Sequence, residues 1–127
     1  MLGDKPAIAT IAVKDMAVAT KFYEETLGLK KDEERPDGTR FKTGDSYVFV
    51  YPSSFAGTNK ATYAAWAVGS DLEKIAADLK SKDVKFEQYD DIPGVTREGD
   101  IHNFGESKGV WFQDPDGNIL HLNDQQM

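Results

Sequence analysis

Two histidines, His102 and His121, and no cysteine set the chemical limits of this 127-residue chain. Without cysteine there is no thiolate nucleophile, no disulfide framework and no Cys-based zinc or iron–sulfur site. His121 stands in an alternating run, Ile119 to Asn123. An imidazole there can be a hydrogen-bonded core group, a group that orients a ligand or moves a proton, or a metal ligand. His102 lies in a polar, charged stretch and reads as solvent-exposed, with a lid contact as the sharper alternative. Tyr47, Phe49 and Tyr51 alternate along one run. Such a row is either core or the wall of a pocket for a flat molecule. Glu98, Asp100 and Glu106 read as a solvated acidic stretch. Ser53-Ser54 has no His and acid in a recognisable arrangement, and Gly44 and Gly57 lack the spacing of a phosphate-binding loop.

The formal charge is -7, from 15 basic and 22 acidic residues. Binding a phosphate backbone needs clustered Lys and Arg, so nucleic acid is not the expected partner. In Lys30-Lys31-Asp32-Glu33-Glu34 the lysines are interleaved with acids, which fits a solvated strand. No apolar run approaches the ~20 residues of a membrane-spanning helix. The start, Met1-Leu2-Gly3-Asp4-Lys5-Pro6, lacks the pattern of a signal peptide, and a cytoplasmic location is expected. Hydrophobic content of 39% with 29% charged residues describes an ordinary globular chain.

The elements that must position these groups follow from periodicity. Ala7 to Val13 reads as a strand with two mostly apolar faces, both expected to be covered. Asp15 is placed to cap a helix in which Val18, Phe22 and Thr26 form a stripe beside Ala19, Tyr23 and Leu27. Gly28 fits a left-handed helix terminator. A strand at 29–34, a turn at Pro36-Asp37-Gly38 and a hairpin of 39–43 with 46–51 complete the first half. The second half repeats the order. Thr62 to Val68 is a strand, and Ser70-Asp71-Leu72-Glu73 reads as a capping box. Leu72, Ile75, Ala76 and Leu79 make an apolar helical face. Strands at 84–88, 110–113 and 118–123 follow, the last two joined by Asp114-Pro115-Asp116-Gly117. Val13 and Val68 are 55 residues apart, which gives the period of a βαβββ unit used twice. Tyr89 to Lys108 lies outside the repeat. It reads as a long loop, either a lid or a concealed strand.

With these elements in place the chain resembles the vicinal oxygen chelate superfamily, which includes glyoxalase I, bleomycin-resistance proteins and extradiol dioxygenases. The resemblance rests on the Val13-x-Asp15 turn, the helix with Phe22-Tyr23 and Leu27-Gly28, and Trp111-Phe112-x-Asp114-Pro115-Asp116-Gly117-Asn118. It covers roughly residues 6 to 124 and implies an α+β fold of two βαβββ modules. Their sheets would curl into a cup with the helices outside. The implied organisation is one domain over 1–127, with module one at 6–52, a linker at 53–60 and module two at 61–124. Family members often pair or exchange modules, so a homodimer is also implied.

Enzymes of that family hold a divalent metal through first- and last-strand residues. By motif those positions are Ile8, Tyr63, Phe49 and His121 here. Only His121 is a ready ligand, and catalytic metals need about three protein ligands. A register slip does not help, because no His or Glu stands at positions 7, 9, 48, 50, 62 or 64. The expectation is therefore no metal and no cofactor. The implied ligand-binding residues are Ile8, Thr10, Tyr47, Phe49, Tyr51, Tyr63 and His121, facing a flat hydrophobic or aromatic molecule. The leading reading is a metal-free small-molecule binding protein. The alternative is a glyoxalase-like lyase or isomerase, or a ring-cleaving dioxygenase, with His121 and Tyr63 as acid–base candidates. Trp66 and Trp111 read as packing.

Overall fold

A computed structural model of the chain describes residues 1–126. The chain divides into two compact units, one ending at Asn59 and the next beginning at Lys60. Both carry mixed sheets, with two α-helices and ten strands in total among the described residues.

In the N-terminal unit the order is β1 (Ala9–Val13), α1 (Met16–Lys21), β2 (Lys30–Arg35), β3 (Gly38–Thr43) and β4 (Ser46–Pro52). The sheet order is β1-β4-β3-β2, with β1 parallel to β4 and the other pairs antiparallel. Asp15 caps α1, its Oδ1 accepting from the Ala17 and Val18 amides at 2.9 and 3.2 Å. The helix then widens into a π-helical turn, Phe22–Thr26, where the Leu27 amide reaches back to the Phe22 carbonyl. That extra residue per turn changes which stripe is buried. Ala19 and Tyr23 are buried, whereas Val18 is exposed and Phe22 only half-buried. The apolar stripe thus runs through the Tyr23 side rather than through Val18 and Phe22. Gly28 ends the turn at φ 76°. Ile11, Val13, Phe41, Val48 and Val50 are buried in the same core. The opposite face of β1 is covered only in part, because Ile8 and Thr10 are exposed while Ala12 is buried. All six residues of β2 are exposed and charged, which suits an edge strand that must not recruit another chain.

The C-terminal unit runs β5 (Thr62–Ala67), α2 (Leu72–Ser81), β6 (Phe86–Glu87), β7 (Thr96–Glu98), β8 (Ile101–Asn103), β9 (Lys108–Gln113) and β10 (Ile119–Asn123). The sheet order is β5-β10-β9-β8-β7, with β6 also paired to β9. The capping box does not form. A 3-10 turn, Gly69–Asp71, leads into α2, and no side chain caps either segment. Gly69 at φ 57° starts this tighter entry, so Ser70 lies within the turn rather than ahead of the helix. Leu72, Ala76 and Leu79 are buried along the expected face. The stretch 89–108 is not a free loop, because it folds into the β7–β8 hairpin and extends the sheet. The Asp114–Gly117 turn is built by Asp114. Its Oδ1 accepts from the Asp116 and Asn118 amides, and its Oδ2 accepts from Asn118 Nδ2. Both sheets are open, and neither is strongly curled, so neither forms a curled cup by itself.

Candidate functional site

In each unit the strand residues alternate between a buried side and a side of half-buried and exposed groups, although His102 on the latter side of the C-terminal sheet is completely buried. On β4 of the N-terminal unit, Val48 and Val50 are buried, while Tyr47, Phe49 and Tyr51 are half-buried on the other side. Register sets the row across this open face, because Thr10 on β1 and Arg40 on β3 both pair with Phe49. The Phe49 and Tyr51 rings stack with centroids 6.3 Å apart. The Arg40 guanidinium lies 4.7 Å over the Tyr47 ring and pairs with Asp32 at 2.6 Å and Glu33 at 3.1 Å. Between these groups opens a cleft of about 270 Å³ lined by Ile8, Thr10, Arg35, Asp37, Arg40 and Phe49. The Thr10 hydroxyl is spent on the Ile8 carbonyl, and Arg35 Nε approaches Asp37 at 3.6 Å. Gly38 makes the Phe49 position possible. A Cβ there would lie 2.7 Å from the ring and 2.6 Å from the Val50 carbonyl oxygen.

The C-terminal unit repeats the arrangement with different side chains. His121 on β10 pairs with Ala65 on β5 and Trp111 on β9. Its ring folds over Gly109, where a Cβ would come within 2.6 Å of Cε1. His121 Nδ1 lies 3.0 Å from the Val110 carbonyl. A carbonyl only accepts, so Nδ1 carries the proton and Nε2 keeps its lone pair. Nε2 has no hydrogen bond to any described residue. Burial pushes the His121 pKa down, and nearby His102 adds to this; the Val110 bond opposes the shift. Trp111 packs against His121 with centroids 4.5 Å apart and the rings tilted by 31°, and its indole N–H donates to the Thr62 hydroxyl. Phe104 and Tyr89 meet Trp111 edge-on at 5.6 and 5.3 Å. Burial, helped by Glu87 and Asp91, raises the Tyr89 pKa and keeps the phenol neutral.

His102 contradicts the sequence expectation, because it is completely buried. The Tyr89 amide donates to its Nε2 at 2.9 Å, and Nδ1 lies 3.1 Å from the Asp100 carbonyl. An amide only donates and a carbonyl only accepts, so His102 accepts at Nε2 and donates from Nδ1. It meets Trp111 edge-on at 4.9 Å. Polar neighbours in sequence suggested exposure, but strand β8 turns this one side chain onto the ring cluster. Trp111, read as peripheral packing, stands at the centre of that cluster.

Of the residues singled out by sequence, Ile8, Thr10 and Phe49 share the N-terminal cleft, with Tyr47 and Tyr51 beside it. Tyr63 is half-buried at a bulge between the Thr62 and Ala64 pairings, and no hydrogen bond joins it to His121. Arg35, Asp37 and Arg40 were missed, as were Tyr89 and Phe104. Arg40 was legible in principle, because the hairpin register puts it opposite Phe49.

The metal question has a chemical answer at these positions. Ile8 and Phe49 offer no donor atom, and His121 has one nitrogen committed to the backbone. No group of three His, Cys, Asp or Glu side chains able to hold a metal occurs among the described residues. The residues present do not fit the family's metal set.

Comparison with known proteins agrees with the fold. A profile of the Glyoxalase/Bleomycin resistance protein/Dioxygenase superfamily matches residues 5–122, and the chain belongs to that superfamily. No curated protein sequence matches it. Among solved structures it is similar to the fosfomycin resistance protein FosX of Listeria monocytogenes. That match has a TM-score of 0.73 at 14% identity and covers 98% of this chain and 95% of the other. It is also similar to lactoylglutathione lyase of Agrobacterium tumefaciens, with TM-score 0.70 and 14% identity, covering 95% and 94%. An integron cassette protein from the Halifax Harbour sewage outfall metagenome gives TM-score 0.72 at 17% identity, covering 95% and 99%. At such identities the likeness shows the fold alone. Among the described residues no helix is long and apolar enough to cross a membrane.

Proposed function

We propose that this protein binds a small, flat, largely apolar molecule on the open faces of its sheets, and that it needs no metal to do so. The observation that carries this reading is the N-terminal cleft of about 270 Å³, where Ile8, Thr10 and Phe49 meet. Its volume suits a small molecule, and its lining combines an aromatic face with a few polar groups. Tyr47 and Tyr51 flank it, and Tyr63 and His121 belong to the open side of the other unit. The donor-poor metal positions favour binding by packing and hydrogen bonds over Lewis-acid chemistry. Thermal-shift screening against flat compounds tests the reading. A hit should raise the melting temperature by mass action, and Phe49→Ala should weaken it. Unchanged affinity in Phe49→Ala would place the ligand elsewhere.

A second reading makes the protein an enzyme, a lyase, isomerase or dioxygenase of the kinds this superfamily contains, with His121 as base. The free Nε2 and the lowered pKa of His121 favour it, because a neutral imidazole can accept a proton. Metal analysis separates the readings. A stoichiometric metal that survives dialysis and is lost in His121→Ala contradicts metal-free binding.

A further inference from the structure

The C-terminal sheet specifies its ligand more narrowly than the cleft does. We propose that its open face binds a planar aromatic molecule carrying an N–H or O–H donor, with His121 Nε2 as the acceptor and Trp111 and Phe104 as the walls. This inference rests on the small-molecule reading above and deepens it.

Four observations converge. First, the Val110 carbonyl fixes the tautomer of His121, so Nε2 presents a lone pair rather than a proton. Second, that lone pair has no partner among the described residues, while the ring is half-buried between Trp111 at 4.5 Å and Phe104 at 6.2 Å. A ligand that brings a donor can replace solvent at this acceptor and also pack on the neighbouring rings. Third, the floor beside it is low. Ala65, the β5 partner of His121, and Ala67 are both exposed, so a flat molecule can lie against the imidazole without displacing a large side chain. Fourth, the walls are fixed. Gly109 lets His121 and Phe104 approach the strand backbone, with a Cβ position 2.6 Å from His121 Cε1 and 3.0 Å from the Phe104 ring. His102 lies beside Trp111 on the same sheet face as a positioning residue. It binds the Tyr89 amide and meets Trp111 edge-on.

The charges nearby do not recommend an ionic ligand. Asp124 is engaged by Ser107 and the Lys108 amide, and Asp100 by Lys80 and Gln88. No cation of the unit is placed beside His121 Nε2 by any ion pair or ring contact described. The site therefore selects by shape and by one hydrogen bond.

Indole and N-methylindole are suitable probes, because they share a ring system and differ in the donor. In a titration of the isotope-labelled full chain followed by NMR, indole should perturb the amides of 109–111 and 121 and the Nε2 nitrogen of His121. Its affinity should exceed that of N-methylindole by about 2- to 10-fold, the range of one neutral hydrogen bond. His121→Phe keeps a planar ring and removes the acceptor, so both probes should then bind equally. The wild-type comparison stands by itself if that variant fails to fold. Equal affinity for the two probes in the wild type overturns the proposal, as does the absence of binding. Perturbation confined to residues 8–10, 35–40 and 49 overturns it while leaving the N-terminal cleft intact, which separates this failure from failure of the broader reading.

Discussion

Two glycines and one imidazole decide much of what the open faces can do. A Cβ at Gly38 would meet Phe49 at 2.7 Å and the Val50 carbonyl at 2.6 Å. Backbone cannot retreat as a flexible side chain can, so Gly38→Ala should cost about 1–3 kcal/mol and displace the Phe49 ring. Gly109→Ala should behave alike, because its contacts include the Leu122 carbonyl at 2.8 Å as well as His121. Gly44→Ala is the control. It has nothing within 4 Å, so only the strain of φ 55° remains. Urea unfolding of the three variants orders them, and equal losses would contradict the close-approach explanation. His121 adds a pH dependence. Its folded pKa lies below the usual value of about 6.5, because burial opposes charging. Between the folded and unfolded values the unfolded chain binds more protons, so stability rises with pH there. Stability should therefore be constant above the unfolded value and fall as pH drops through the window below it. Urea unfolding across about pH 7.5 to about pH 5 should show this loss, and His121→Phe should remove its share. An identical pH profile in the variant would contradict the assignment.

At the scale of elements, strand register repeats the same arrangement twice. Phe49 pairs with Thr10 and Arg40, and His121 pairs with Ala65 and Trp111. Arg40 and Trp111 hold equivalent strand positions, and each lays a planar group on a ring, Tyr47 in one unit and His121 in the other. His102 on β8 ties the hairpin β7–β8 to the preceding segment by accepting from the Tyr89 amide. His102→Phe leaves that amide without its acceptor and should cost about 1–3 kcal/mol. Hydrogen exchange should quicken at Tyr89 and across 101–103, and unchanged protection there would show that the hairpin stands without the histidine. Much of this level was readable in advance. Apolar alternation placed β4 and β10, Asp15 and Gly28 marked the ends of the first helical segment, and Asp114 to Gly117 marked the last turn. Three features were not readable. The π-helical turn at Phe22–Thr26 shifts the buried stripe without any local sequence mark. The Ser70 box gave way to a 3-10 entry because Gly69 adopts a left-handed φ. Burial of His102 follows from long-range pairing with Gly109, which polar neighbours in sequence conceal.

For the molecule as a whole, membership of the superfamily settles the architecture and leaves the chemistry to the side chains. FosX from Listeria monocytogenes, a neighbour at TM-score 0.73 and 13% identity, is known in complex with Mn(II) and sulfate. In this chain no group of three His, Cys, Asp or Glu side chains able to hold a metal occurs among the described residues. The net charge of -7 is compatible with a cationic ligand at long range, whereas the ligand proposed above is neutral and aromatic. The central claim is that small-molecule binding here is independent of metal. The most direct measurement is the thermal shift given by a flat aromatic ligand such as indole to chelator-treated protein, with and without added Mn²⁺ or Zn²⁺. Metal-independent binding gives the same ligand-induced rise in melting temperature in both conditions. A rise that appears only with metal, and disappears in His121→Ala, would contradict it.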